Sequence, residues 1–112
     1  MTAAIPRRSK YGSKIVTYDG VKYHSAAEAR RAMELDILIK CKKIQRWERQ
    51  IPFAIEINGV HVCRVVVDFR VYPLAGMWWL EEVKGHETPV YKLKRKLFAA
   101  CYPNLDYRVL NV

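Results

Sequence analysis

Two carboxylates and a lysine stand at a spacing that could assemble a site for phosphoryl chemistry. Asp68 lies within the apolar run Val65-Val-Val-Asp68-Phe69, and Glu82-Val83-Lys84 ends a second apolar run. A carboxylate in an apolar strand is costly unless it is paired or binds a cation. Converging acids could hold Mg²⁺, which takes hard oxygen ligands and acts on phosphates. The same residues could also form an ordinary ion pair at a strand end.

The loop between the two runs determines which residues oppose each other. With a five-residue loop, Pro73 to Met77, the residue numbers of opposed positions sum to 150. Asp68 then lies opposite Glu82, with the side chains about 5 Å apart. Lys84 projects from the same face because side chains alternate along a strand. A shift of one residue in the pairing would move one acid to the other face and destroy the site.

The pattern of apolar residues and turn signals predicts an α/β (α+β) chain with the order ββ-α-βββ-α-β. The Asp19-Gly20 and Asn58-Gly59 pairs are typical of tight hairpin turns. Ser25 and Thr88 are suitable helix N-caps, the latter followed by a proline at the first helical position. The predicted elements are strands Lys14–Tyr18 and Val21–His24, a helix from Ser25 to near Lys43, strands Pro52–Ile57, Val60–Tyr72 and Met77–Lys84, a helix from Thr88 to Pro103, and a strand Asp106–Val112.

Helical spacing predicts which side of each helix is buried. In the first helix the predicted apolar stripe is Ala29, Met33, Ile37, Cys41 and Ile44, widened by Ala32 and Leu38. In the second helix it is Leu93, Leu97, Phe98 and Cys101, with lysines and an arginine on the remaining surface. That basic surface could be an ordinary solvated face or could follow a phosphate backbone.

The composition is that of one small basic domain. The 112 residues are 51% hydrophobic and 28% charged, and 20 Lys and Arg against 11 Asp and Glu give a net charge of +9. Such a charge favours a polyanionic partner, most often nucleic acid, over a merely soluble basic protein. We expect residues 1–13 to form a basic arm, with Arg7, Arg8 and Lys10, and residues 14–112 to form a single domain. No apolar run could cross a bilayer, and three cysteines without a CxxC pair fit a reducing compartment, so we expect a cytoplasmic protein.

Several motifs in order along the chain resemble those of the PD-(D/E)xK nuclease superfamily. More closely, the chain resembles short phage-encoded endonucleases related to phage Holliday-junction-resolving enzymes, from about Lys10 to the C-terminus. The motifs that carry the resemblance are Lys10-Tyr11, Thr17-Tyr-Asp-Gly-Val-Lys-Tyr23, Ser25-Ala-Ala-Glu-Ala29, Val67-Asp-Phe69, Glu82-Val-Lys-Gly85 and Tyr91-Lys-Leu-Lys-Arg-Lys-Leu-Phe98.

The resemblance implies a restriction-endonuclease-like core, a mixed β-sheet flanked by helices, and a metal-dependent DNA endonuclease. It makes Asp68 and Glu82 the central ligands of Mg²⁺, with Mn²⁺ as a substitute and no small-molecule cofactor. Glu28 and the carbonyl of Val83 would be further ligands, and Lys84 the catalytic lysine. From the residues alone, Glu28 could instead be the structural partner of Ser25 in a capping box.

The expected partner is DNA, in particular branched or junction DNA, since no separate region is available for long sequence readout. Residues expected to contact it are those of the basic arm together with Lys92, Lys94, Arg95 and Lys96. One site cuts one strand, so symmetric cleavage would need a homodimer; if the protein is phage-encoded, it would act in the host-cell cytoplasm. The alternatives are a non-catalytic nucleic-acid-binding protein on a nuclease-like scaffold and a structural partner in a larger DNA-processing complex.

Overall fold

The computed structural model describes residues 15–111, which form two helices and six strands. This confirms the predicted α/β class and the predicted order of elements. The basic arm, with Arg7, Arg8 and Lys10, lies outside the described residues. The elements are β1 (Val16–Tyr18), β2 (Val21–Tyr23), α1 (Ala26–Lys40), β3 (Ile44–Ile57), β4 (Val60–Pro73), β5 (Trp79–Val83), α2 (Pro89–Cys101) and β6 (Tyr107–Leu110).

A four-stranded mixed sheet in the order β3-β4-β5-β6 forms the centre of the structure. Its neighbours pair antiparallel except β5 and β6, which are parallel, and β1 and β2 form a separate two-stranded sheet. On β5, Leu80 packs with Phe98 of α2, whereas Glu81 is bonded to Arg31 of α1. Because successive residues of a strand point to opposite faces, the two helices cover opposite faces of the sheet at β5.

The third strand is longer than the sequence predicted. It begins at Ile44 instead of Pro52 because charged residues in its first half are paired across the sheet. Glu48 accepts bonds from Arg70 and Tyr72 of β4. Helix α1 ends at Lys40, before the predicted Lys43, since the chain turns into a left-handed conformation two residues later.

The buried sides of both helices differ in part from the predicted stripes. In α1 the buried residues are Ala29, Ala32 and Leu35, whereas Met33 and Ile37 are 46% and 52% exposed. Small alanines let the helix approach the sheet closely, so the stripe that contains them is the one that packs. In α2 the predicted Leu93 is exposed, and Leu97, Phe98 and Cys101 pack as expected. Neither described helix is long and apolar enough to span a membrane.

One residue of β3 has a strained backbone at the level of Asp68. Gln50 has φ 56°, and the pairs on either side of it place it across from Asp68. A left-handed conformation costs a residue other than glycine about 1–2 kcal/mol. The packing of β4 changes at the same level, because Val67 belongs to the α2 cluster and Phe69 to the α1 cluster. Strand β4 therefore changes the helix that it packs against at Asp68.

The buried side of α1 can be tested by paired substitutions. Leu35→Ala should lower the free energy of unfolding by about 2–5 kcal/mol, because Leu35 is fully buried and its truncation leaves a cavity. Ile37→Ala, on the exposed side, should change it by roughly 0.5 kcal/mol or less. Urea unfolding followed by circular dichroism measures both. Equal losses would contradict this orientation of the helix.

Candidate active site

Strands β4 and β5 diverge at Asp68 and Glu82. Their ladder pairs Phe69 with Glu81 and continues in the predicted register, with residue numbers that sum to 150. Past this pair each carboxylate bonds to the backbone of the other strand. The Asp68 N–H donates to Glu82 Oε1 at 3.3 Å, and the Val83 N–H donates to Asp68 Oδ2 at 2.9 Å. We call this point the fork; the register prediction that brings the two acids together is confirmed.

The fork holds two carboxylates in an environment that disfavours their charge. Burial raises the pKa of Asp68 to about 7, and the charge of Glu28 adds to the rise. Burial and the charge of Asp68 raise the pKa of Glu82 to about 8. Within the described residues, no hydrogen bond reaches Asp68 Oδ1 or Glu82 Oε2. Each acid therefore keeps one oxygen for a ligand.

The neighbouring acid, Glu81, has a different role although it is adjacent in sequence. It is 1% exposed and accepts two bonds at 2.8 Å from the guanidinium of Arg31. Trp79 Nε1 donates to the same carboxylate at 2.8 Å. A buried acid that is paired and fully hydrogen-bonded is a structural element. The fold thus supplies a cation to Glu81, whereas no cation of residues 15–111 bonds Asp68 or Glu82.

Glu28 lies at the start of α1, close enough to the fork to act on it electrostatically. Its negative charge raises the pKa values of both Asp68 and Glu82. Its N–H donates to Ser25 Oγ at 3.1 Å, which confirms the N-cap. Among the described hydrogen bonds, none runs from the Ser25 N–H to the Glu28 carboxylate, so the cap leaves that carboxylate uncommitted.

Lys84 is exposed at the end of β5, and its N–H continues the pairing with β6. Within residues 15–111 it forms no ion pair with either acid. The cations that lower the two pKa values are Arg49, which acts on Asp68, and Arg95, which acts on Glu82. Sequence reasoning missed Arg49 because the first half of β3 was not recognised as a strand. Extending the Asn58-Gly59 hairpin to its full length would have placed Arg49 beside Asp68.

The predicted nucleic-acid-binding residues of α2 fall into two groups. Lys92, Arg95 and Lys96 lie together along one side of a shallow surface groove. Lys94 turns toward β4 and donates from Nζ to the carbonyl of Arg64 at 3.3 Å. The predicted basic cluster is thus present as a surface, with one lysine directed inward.

The donors at the fork fit a hard divalent cation. Two carboxylates with one uncommitted oxygen each are the ligand type that Mg²⁺ prefers, and such an ion usually keeps several waters. The buried N–H of Val83 holds Asp68 in place, and the Val83 backbone lies at the same level. Across the described chain, no group of three or more His, Cys, Asp or Glu side chains gathers as a metal site. Asp68 and Glu82 offer two direct side-chain ligands, and a role for Glu28 as a third stays a prediction.

The raised pKa values predict that the metal-free protein loses stability as the pH rises. In the unfolded chain the two acids ionise near 3.8 and 4.5, and in the folded protein near 7 and 8. Between these values the folded state holds protons that the unfolded state has released, so the free energy of unfolding falls from about pH 4 to about pH 8. Each unit of raised pKa costs about 1.4 kcal/mol.

Urea unfolding in EDTA at a series of pH values measures this fall. The double variant Asp68→Asn with Glu82→Gln should flatten it, whereas Glu56→Gln, an exposed acid of β3, should leave it as in the wild type. An unchanged slope in the double variant would show that these two acids do not cause it.

Comparison with known proteins places the chain in a family. No curated protein and no solved structure is significantly similar to it. Residues 8–111 match the model of a family described as "Protein of unknown function (DUF1064)". This match includes every described strand and helix and all residues of the fork. The chain therefore belongs to the DUF1064 family.

Proposed function

We propose that this protein is a metal-dependent DNA endonuclease that hydrolyses phosphodiester bonds at the fork. The observation that carries the proposal is the pair Asp68 and Glu82, two adjacent acids with raised pKa values and no bonded cation among the described residues. Such a pair destabilises the fold, while Glu81 beside it is fully compensated. Groups with perturbed pKa values cluster at functional sites because catalysis needs them. A divalent cation would remove the repulsion.

Each residue of the fork has a role in this proposal. Asp68 and Glu82 hold Mg²⁺, or Mn²⁺ in its place, with the carbonyl of Val83 as a further ligand. The ion, when bound, polarises the scissile phosphate and lowers the pKa of a bound water. Lys84, at the solvent-exposed end of β5, orients the attacking water and offsets negative charge on the phosphate. Glu28 adds negative charge that strengthens cation binding.

Nucleic acid is the substrate class that the charge of the protein favours. The net charge of +9 and the groove formed by Lys92, Arg95 and Lys96 suit a phosphate backbone. Arg95 links this surface to the site, because it lies in the groove and also lowers the pKa of Glu82. Backbone contacts of this kind bind DNA without regard to sequence.

The nuclease proposal predicts nicking of supercoiled plasmid by the purified protein with Mg²⁺ and none with EDTA. Asp68→Ala should lower the rate at least a hundredfold, because the metal loses a ligand. The matched control Glu56→Gln removes one exposed negative charge and should cut at the wild-type rate. Agarose gels over time measure all three rates.

Cutting by Asp68→Ala at the wild-type rate would exclude this site. Calorimetry with Mn²⁺ separates the proposal from a non-catalytic binding protein. The nuclease should bind the ion in a manner that depends on Asp68, whereas a binding module would bind DNA without such a metal site.

For the substrate we propose branched DNA, recognised by shape and cut by a homodimer. Because one site cuts one strand, symmetric cleavage needs two copies. We expect a four-way junction to be cut at least tenfold faster than a linear duplex of the same sequence. Equal rates would contradict shape selectivity, and a monomer bound to the junction in sedimentation would contradict the dimer.

A further inference from the structure

A cavity of about 220 Å³ opens beside Glu82 where β4 and β5 diverge. Within the described ladder, β5 pairs with β4 only from Phe69 to Val71, so the earlier part of β4 has a free edge there. Helix α2 and Tyr107 of β6 close the other sides. The polar and charged residues of its lining are Arg64, Glu82, Tyr91, Lys94, Arg95 and Tyr107.

The basic residues of this cavity lie on the inward side of α2. Tyr91, Lys94, Arg95 and Phe98 follow the i, i+3, i+4, i+7 spacing of a single helical face. Phe98 is 1% exposed and packs in the core. An ordinary solvated lysine or arginine would lie on the opposite face. The face of α2 that packs in the core at Phe98 thus carries two cations about one turn earlier, at the cavity.

Arg64 adds a third cation, this one from the sheet. Lys94 Nζ donates to the carbonyl of Arg64 and so ties α2 to the free edge of β4. In the described part of the chain the guanidinium of Arg64 has no hydrogen bond or ion pair. Arg95 makes one contact, at 3.6 Å, with Glu87. Three cations against the carboxylates of Glu82 and Glu87 leave the cavity positive.

A buried hydroxyl in the same cavity lacks a partner. The oxygen of Tyr91 is buried and makes no hydrogen bond in the described structure. The Tyr107 hydroxyl lies near it, and a hydrogen-bonding interaction between the two lowers the pKa of Tyr91 and raises that of Tyr107, although no bond of good geometry joins the two oxygens. Burial and then the charge of Glu82 raise the pKa of both phenols, so both stay protonated and can donate. An unpaired buried donor is costly unless a ligand accepts its bond.

We propose that this cavity is a phosphate-binding subsite that holds a phosphodiester of the DNA strand next to the phosphate presented to Asp68 and Glu82. Arg64, Lys94 and Arg95 neutralise its charge, and the Tyr91 hydroxyl donates to one of its oxygens. The subsite rests on the proposed nuclease function for its substrate. In this subsite, Arg64 and Tyr91 help to position the DNA strand at the fork.

DNA binding in EDTA tests the subsite separately from cleavage. Fluorescence anisotropy with a short labelled duplex measures the affinity of the full chain at several salt concentrations. Arg64→Gln should weaken binding about fivefold and reduce the slope of log affinity against log salt by about one, since one phosphate contact is lost. Arg30→Gln, an exposed arginine on α1 without a partner among residues 15–111, is the matched control and should stay within about twofold of the wild type.

Two tyrosine variants separate a ligand contact from a structural one. Tyr91→Phe should weaken DNA binding about threefold while the melting temperature stays the same or rises, because it removes an unpaired buried hydroxyl. Tyr102→Phe should instead lower the melting temperature and leave DNA binding unchanged, since the Tyr102 hydroxyl donates to the Ala54 carbonyl at 2.7 Å. A lower melting temperature for Tyr91→Phe with unchanged affinity would contradict the contact.

The outcomes for the subsite and for the nuclease are distinguishable. If Arg64→Gln and Tyr91→Phe both bind DNA like Arg30→Gln, the subsite is wrong even where the wild type cuts plasmid. If they weaken binding while the wild type cuts nothing with Mg²⁺, the subsite stands as a DNA contact and the nuclease proposal fails.

Discussion

Asp68 and Glu82 each accept a hydrogen bond from the backbone of the other's strand, and this exchange holds two carboxylates side by side at the fork. The arrangement opposes the ordinary preference of acids for water or for a bonded cation. It persists because the surrounding sheet determines the positions of both residues. The fold therefore keeps the two acids in an arrangement in which their negative charges repel, and binding of a proton or a metal ion would relieve this repulsion.

The strands and helices around the fork keep it in place from several directions. Glu81 lies on the face of β5 opposite to Glu82 and accepts bonds from Arg31. This ion pair joins α1 to the sheet. Asp36 of α1 accepts bonds from Tyr18 and Trp47, so the helix is also joined to β1 and β3. This support positions the first turn of α1, and with it the charge of Glu28.

Positive charge is distributed around the fork without neutralising it. Arg49 lowers the pKa of Asp68 and Arg95 lowers that of Glu82, but among the described contacts neither arginine forms a hydrogen bond or an ion pair with these acids. Arg64, Lys92, Lys94 and Lys96 border the cavity and the groove on α2, where, under the proposed function, an anionic strand would run. A polyanion bound there would bring its phosphates to the acids while the cations compensate its charge. Under the proposed function, the same basic surface would both attract DNA and place it.

Much of this arrangement follows from the sequence by itself. The two Asx-Gly turns, the N-caps at Ser25 and Thr88 and the five-residue loop determine the element order and the register that opposes Asp68 to Glu82, because turn chemistry and side-chain alternation are local. Only the tertiary structure decided which helix face is buried, how far β3 extends and that Arg64 of β4 meets Tyr91 and Lys94 of α2 in one cavity. Those outcomes depend on contacts between segments far apart in the chain, where the shape of a neighbouring element selects among faces of similar hydrophobicity.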